Sequence, residues 1–403
     1  MCDAIIDFNP RDDSLFVDEK RDPLFARLRE RHTLCVDSNG VVPIYSLVRY
    51  ADVARAYKEP DVFSPTAGLT LDAFDPAQSE SLSKMLETAS PERHRELRSA
   101  MRGAFRGHDL ASLATKTRDQ VDRFIAETDD GDVIDLVEEF ARGTASSMTT
   151  ELLGVGPAEA TRLDPLLRSL GSVGVGASSG SNRQREKTEL WLLRELTRVV
   201  RTHRDEERAS GLVGRLLAAE AGEQPLTDHE VVLNCLNVVL AGTAASQHTL
   251  AGAAAAWAEH PDELEDVVRD PDLESGLIDE TLRWLTPVVH LTRIVTRDVE
   301  IAGQEVPKGV GVCLWNISAN RDEEVFTEAT TFNPRRPARR HLAFGTGPQH
   351  CLGAQVIRTQ LESLLAGMLQ GGVRFELSGS PIWIRSNTIT GVESLPVRIR
   401  RVG

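Results

Sequence analysis

The sequence has no C-x-x-C pair: its five cysteines, Cys2, Cys35, Cys235, Cys313 and Cys351, are odd in number and widely spaced. That pattern excludes a disulfide framework and a zinc knuckle. Net positive charge is also missing. The formal charge is −15, which disfavours nucleic acid as a partner, because phosphate binding needs a concentrated basic surface. No charge-free apolar stretch is long enough for a membrane span, and the opening MCDAIIDFNP lacks both a basic n-region and an apolar h-region. Low-complexity tracts are absent, and 41% hydrophobic with 27% charged residues describes an ordinary folded chain. The expectation is an acidic cytoplasmic enzyme without a membrane or nucleic-acid partner.

From Pro91 to about Ala258 apolar residues recur at three- and four-residue spacing, and the breaks fall at Gly/Pro/Ser clusters, so the middle of the chain reads as helical. Strand-like runs sit at the two ends. Thr33–Val36 and Val41–Tyr45 flank a turn at Asp37–Gly40, and Val288–Val295, Val310–Leu314 and Val373–Leu377 add short segments late. Ser64–Ser90 and the Gly/Ser-rich stretch 169–181 read as loops that can cover a site. The fold class expected is mainly α with small β-sheets.

One helix stands apart. Thr227-Asp-His-Glu230 is a capping box, and the pattern after it runs to His260-Pro261. At about 1.5 Å per residue it spans about 45 Å. Its apolar runs, VVLNCLNVVLAG and AGAAAAWA, require it to pass through the core.

Residues 343–354 read AFGTGPQHCLGA and lead into another helical pattern. Glycines and a proline before a helix make a tight loop that sets Cys351 at a helix N-terminus. There the dipole and free N–H groups favour a thiolate, a sulfur suited to ligating iron.

Phe344, Gly345, Gly347, Cys351 and Gly353 form F-G-x-G-x-x-x-C-x-G, which resembles the haem-ligand loop of the cytochrome P450 superfamily. Further landmarks follow in that family's order along nearly the whole chain. Glu280-Thr-Leu-Arg283 resembles its E-x-x-R, and Arg336 the third partner of a structural ion-pair cluster. His94 and Arg98 resemble its P-x-x-H-x-x-x-R helix, and Arg293 its strand arginine; the resemblance makes these three anchors for the haem propionates. Where the family has His or Arg two residues before the cysteine, this chain has Gln349, followed by His350. Either the amide donates a hydrogen bond or His350 takes its place.

The resemblance implies a cytochrome P450 fold in a single domain spanning 1–403, with β-rich N- and C-terminal parts and a helical middle, 91–285. Haem b would lie between the long central helix and the cysteine loop, with Cys351 on the iron. It also implies a monooxygenase of bacterial type, acting on a small-molecule intermediate of specialised metabolism with O2. Electrons would come from a ferredoxin and ferredoxin reductase, and Arg335, Arg336, Arg339, Arg340 and Arg358 would offer the docking patch. A carrier-protein-bound substrate is compatible. By resemblance alone, substrate would face Gly68–Phe74, 170–175, Asn237, Ala241, Ala245, Val288, Val289, Leu291 and Thr388–Thr390, including Ile389.

The central helix departs from the family pattern A-G-x-[DE]-T, whose acid and alcohol relay protons so that O–O cleavage can follow. Here stand Ala241, Gly242, Thr243, Ala244 and Ala245: glycine stays, acid and alcohol are gone. Ser246 is turned about 100° and Thr243 about 200° from Ala245, whereas His248 and Thr249 share its face roughly 5 Å further on. Three readings follow. The substrate completes the relay, His248 does so through water, or the chemistry never needs dioxygen protonation, as in peroxide use, nitrene-type transfer, dehydration or rearrangement.

Overall fold

A computed structural model describes residues 8–16, 21–31, 34–78, 83–170, 179–208, 210–221, 224–337 and 340–402. Cys2, Thr33, Arg339, and residues 79–82 and 171–178 of the two expected cover loops lie outside them.

The capping box forms as expected: Thr227 Oγ1 accepts from the Glu230 amide at 3.3 Å, and Glu230 Oε2 accepts from the Thr227 amide at 3.0 Å. The helix it starts, Asp228–Glu259, runs 32 residues to His260, and Pro261 opens the next helix. Every residue from Ser246 to Trp257 is buried, as an apolar helix crossing a core requires. Trp257 Nε1 donates to Thr281 Oγ1 at 2.9 Å, pinning the central helix to the helix Glu274–Leu285.

The two ends of the central helix pack into different apolar clusters. Val231, Val232, Cys235 and Val239 join Leu97, Met101, Leu196 and Val200. Leu250–Trp257 join Val121, Ile125, Leu277, Leu282, Leu361 and Leu364. Between them, Leu236–Val238, Leu240–Gly242 and Ala245 are all partly or fully exposed in the middle of the molecule, which requires a cavity there.

The strands form a mixed five-stranded sheet in the order Cys35–Asp37, Ile44–Leu47, Gly311–Trp315, His290–Val295, Phe63–Ser64. The expected first hairpin exists two to three residues later than read, since Val41 is exposed and the second strand begins only after Pro43, which has no N–H to give a ladder. Antiparallel pairing sets Arg293 opposite Val312 and Leu291 opposite Leu314, so the strand holding Arg293 is central and braced on both sides. A three-stranded sheet of Val373–Leu377, Pro396–Arg401 and Val133–Asp135 joins the chain's end to its middle.

Candidate functional site

The loop before the helix Ala354–Gln370 is held by its own backbone. The Gly345 amide donates to Leu342 O at 2.9 Å and the Cys351 amide to Phe344 O at 2.9 Å. Gly345 has φ +63°, and a Cβ on it would lie 3.0 Å from the Tyr57 ring, so chain geometry and close approach both demand glycine. Upstream, the Leu342 amide donates to Asn320 Oδ1 at 2.6 Å.

Cys351 Sγ receives the amides of Gly353 and Ala354 at the helix N-terminus. Those donors lower the thiol's pKa as expected, yet burial outweighs them and pushes it up to about 11. The amides thus favour the thiolate as read, and a cation at the sulfur completes what they begin against burial. Cys351 is desolvated like a core group although it has accessible surface, so that surface lines an internal cavity.

Across the cavity stands the open face of the central helix. A Cβ added to Gly242 would meet nothing within 4 Å. The neighbouring hydroxyls are spent elsewhere. Thr243 Oγ1 pairs with Thr149 Oγ1 at 2.9 Å, Ser246 Oγ donates to Gln360 Oε1 at 2.8 Å, and Thr249 Oγ1 donates to Ala245 O at 2.6 Å. His248 packs against the C-terminal hairpin: a Cβ on Gly391 would fall 2.8 Å from its ring. Burial lowers its pKa to about 4, keeping the ring neutral. Its expected role as a water-linked relay thus loses its geometry.

At the cavity's edge gather Arg293, Arg98, His94 and Gln349, none of them hydrogen-bonded to a carboxylate among the described residues. Arg293, 2% exposed, donates to Thr292 O at 2.7 Å and to Gln349 Oε1 at 2.9 Å, and lies over the Tyr57 ring at 5.6 Å. Its buried Nε has no partner. Arg98 and His94, on the helix Pro91–Met101, make no side-chain hydrogen bond among the described residues. Burial and the neighbouring Arg98 and Arg293 charges push His94 down to about 4. Gln349, rather than His350, meets Arg293, and its amide donors stay free for an anion.

Behind the loop lies the ion-pair cluster. Glu280 accepts from Arg283 at 2.7 and 2.8 Å, from Arg336 at 3.1 Å, and from the Asn333 amide at 2.9 Å; all three charged side chains are buried. Arg283 also donates to Asn320 O and Ala329 O, both at 2.8 Å. The cluster therefore grips residue 320, whose side chain holds Leu342. Desolvation raises the Glu280 pKa, but the two arginines and the Asn333 amide win and hold it below the usual carboxylate range. Asp279, unflagged by the sequence reading, binds Arg358 just beyond the cysteine and lies 3.8 Å from His341 just before it.

The comparisons with known proteins agree with this geometry. A family model described as Cytochrome P450 matches residues 273–388. Cyclomarin C epoxidase CymV of Salinispora arenicola is 30% identical over 377 residues, covering 93% of this chain and 94% of its own. The chain belongs to the cytochrome P450 family. Cytochrome P450 NovI of Streptomyces niveus is 27% identical over 352 residues, covering 87% of this chain and 86% of its own. Among solved structures, P450 OxyD, described as involved in the biosynthesis of vancomycin-type antibiotics, superposes with a TM-score of 0.86 at 26% identity, over 97% of this chain and 99% of its own.

The protein is thus an enzyme of the P450 monooxygenase family, whose cofactor is haem. Its own residues fit that group: a thiol with accessible surface, an orphaned guanidinium nitrogen on Arg293, and an Arg98 that is bonded to no carboxylate among the described residues. No helix among the described residues is long and apolar enough to cross a membrane.

Other expectations shift. Asn237, Ala241, Ala245, Val288 and Leu291 retain accessible surface, whereas Val289 and Ile389 are buried, Val289 within the cluster around Phe25 and Trp315. Of the arginine patch, Arg336 is committed to Glu280, Arg358 to Asp279, and Arg335 to Asp266 at 3.3 Å and Asp270 at 3.6 Å. Arg340 keeps an exposed side chain.

Proposed function

We propose that this P450 is a haem-thiolate monooxygenase acting on a small-molecule intermediate of specialised metabolism, in the cytoplasm, with electrons from a ferredoxin and its reductase. The observation that supports it most is Cys351, set at the N-terminus of the helix Ala354–Gln370 with the Gly353 and Ala354 amides acting on its sulfur. In this reading 1–403 is one P450 domain. When bound, haem supplies dioxygen activation and transfer of one oxygen atom to substrate.

The chain's own residues divide the remaining work. Cys351 ligates iron, and the amides of Gly353 and Ala354 share the charge of its sulfur. Arg293, Arg98, His94 and Gln349 bind the propionates, and the propionate charge satisfies the donors they leave open. Phe344 and Gly345 shape the loop; Glu280, Arg283 and Arg336 brace it from behind. Gly242 and Ala245 leave room for a ligand. CymV, named as a cyclomarin C epoxidase, and OxyD, described as involved in the biosynthesis of vancomycin-type antibiotics, support specialised metabolism as the setting, with a free or a carrier-bound substrate.

The reduced protein under carbon monoxide is expected to show the family's red-shifted band, and Cys351→Ser to abolish it. A normal band in that variant sinks the reading.

A second reading rests on the hydroxyls of Thr243, Ser246 and Thr249, each bonded inside the protein. No side chain of this helix then delivers a proton to the cavity, and the enzyme uses peroxide or another route that needs none. The double variant Ala244→Glu/Ala245→Thr separates the two. Faster oxygen uptake with the electron-transfer partners supports monooxygenation with a ligand-borne proton; unchanged uptake alongside peroxide-driven turnover supports the alternative.

A further inference from the structure

Glu87 lies in a 3-10 turn, Leu86–Thr88, just ahead of the helix that carries His94 and Arg98. The central helix fixes this turn with two asparagines three residues apart, hence on one face. Asn234, fully buried, accepts from the Leu86 amide at 2.9 Å and donates to Lys84 O at 2.9 Å. Asn237 Nδ2 donates to Glu87 Oε2 at 2.9 Å. The other carboxylate oxygen has no partner among the described residues. Like Cys351, Glu87 has accessible surface and yet is desolvated, and its charge is felt at the Cys351 thiol. Glu87 meets the central helix at Asn237, one turn before Ala241 on the same open face, so it borders the cavity beside that face.

A tether between turn and helix does not require this residue, since glutamine would accept the same hydrogen bond without a charge. A carboxylate held in an enclosed cavity with one bare oxygen is costly until a cation meets it. Burial accordingly raises the Glu87 pKa, against the Asn237 hydrogen bond and the more distant Arg293 charge. Arg293 makes no contact with it, and in the proposed function Arg293 is neutralised by a propionate. The cavity is left with a fixed anion and no cation.

We propose that Glu87, positioned by Asn237, is the anchor for a positively charged nitrogen on the substrate, so that the enzyme selects amine-bearing rather than purely apolar molecules. The proposal rests on the haem-thiolate reading, which places substrate in this cavity. A cationic nitrogen meets the bare oxygen, stabilises the ionised carboxylate, and orients the rest of the molecule along the open face of Gly242 and Ala245.

The test uses haem-loaded protein and two probes, 4-phenylbutyltrimethylammonium and its uncharged tert-butyl isostere, neither of which has a lone pair for iron. Binding is read by equilibrium dialysis and by the haem spectral shift. The wild type is expected to prefer the cation by about tenfold or more, and Glu87→Gln to abolish that preference while binding the isostere as before. Thermal unfolding checks that the variant keeps its fold. No preference in the wild type, or equal weakening of both probes in Glu87→Gln, overturns the proposal. Loss of the carbon monoxide band in the same preparation would instead remove the haem-thiolate reading beneath it.

Discussion

Below the cavity, Cys351 is held by two amides, a glycine-dependent loop, the side chain of Asn320 and, behind these, a buried three-charge cluster. Above it, Ala241–Ala245 turns no polar side chain to the cavity, and each nearby hydroxyl is bonded within the protein. The two walls solve different problems. Holding a metal-bound sulfur in place takes many contacts that reach far through the fold. Supplying a proton takes one or two side chains, which can be lost without disturbing the architecture, provided ligand or water makes good the loss. The upper wall keeps space where the family pattern puts chemistry, and the polar group that does face the cavity, Glu87, comes from another element.

The largest effect is expected from breaking the lower wall at its rear. Glu280→Ala leaves two guanidinium groups buried without their carboxylate, which costs about 3–5 kcal/mol and should release residues 327–331 and the loop with them. Denaturant unfolding of the haem-free protein reads the stability loss, and haem retention on a sizing column reads the loop. A loss under about 1 kcal/mol would mean that the cluster does not brace this wall.

Acid tests both sides together. His290 Nε2 accepts from the Leu71 amide at 3.1 Å while Nδ1 faces Asn387 O at 2.7 Å, so the ring must be neutral with its proton on Nδ1. Burial puts its pKa at about 4, as it does for His248 behind the upper wall. Both folded values lie below the unfolded one near 6.5. Their stabilising contribution is complete above about pH 6.5 and is lost as pH falls towards 4, on the order of 3 kcal/mol for each ring. Asp279 and Glu280, held below their usual range, contribute only at lower pH. Unfolding midpoints between pH 7 and 4.5 read the histidines together with the raised carboxyl of Glu87, which acts with the opposite sign, so His248→Gln, by reducing the acid loss, reads one ring by itself. A flat profile would mean that neither ring's pKa is lowered in the fold.

What the sequence made legible was local. The capping box, the turn glycines before Cys351 and the three-residue spacing of Glu280 and Arg283 are written within a few residues, and each formed as read. What it hid was tertiary. The Cys351 pKa is governed by burial, which no neighbouring residue reports. Glu87 meets Asn237 across 150 residues, and Asp279 meets Arg358 across 79. Val289 is buried because its side chain joins the Trp315 cluster just before the strand His290–Val295, a packing that no neighbouring residue announces. Three arginines of the expected patch carry acidic partners that the sequence did not announce, because an arginine's partner can come from any part of the chain.

Gly345→Ala is a smaller blow to the lower wall. The left-handed backbone costs alanine about 1–2 kcal/mol, and the new methyl must also push the Tyr57 ring, 3.0 Å away. Tyr57 supports Arg293, so haem affinity should fall along with stability. Unchanged affinity would uncouple the loop from the propionate rim.

The smallest effect is expected at the upper wall, and it decides whether the contrast between the walls is real. Thr243→Val removes the hydroxyl that meets Thr149 and nearly preserves side-chain shape, leaving the Thr149 hydroxyl still bonded to Ala145 O at 2.9 Å. The cost is about 1 kcal/mol of stability. Oxygen uptake and its dependence on solvent deuterium should match the wild type, because the hydroxyl points between helices and not into the cavity. A tenfold fall in uptake, or a changed solvent isotope effect, would show that Thr243 reaches the cavity when ligand is bound. The upper wall would then carry its own proton donor, one position away from where the family places it.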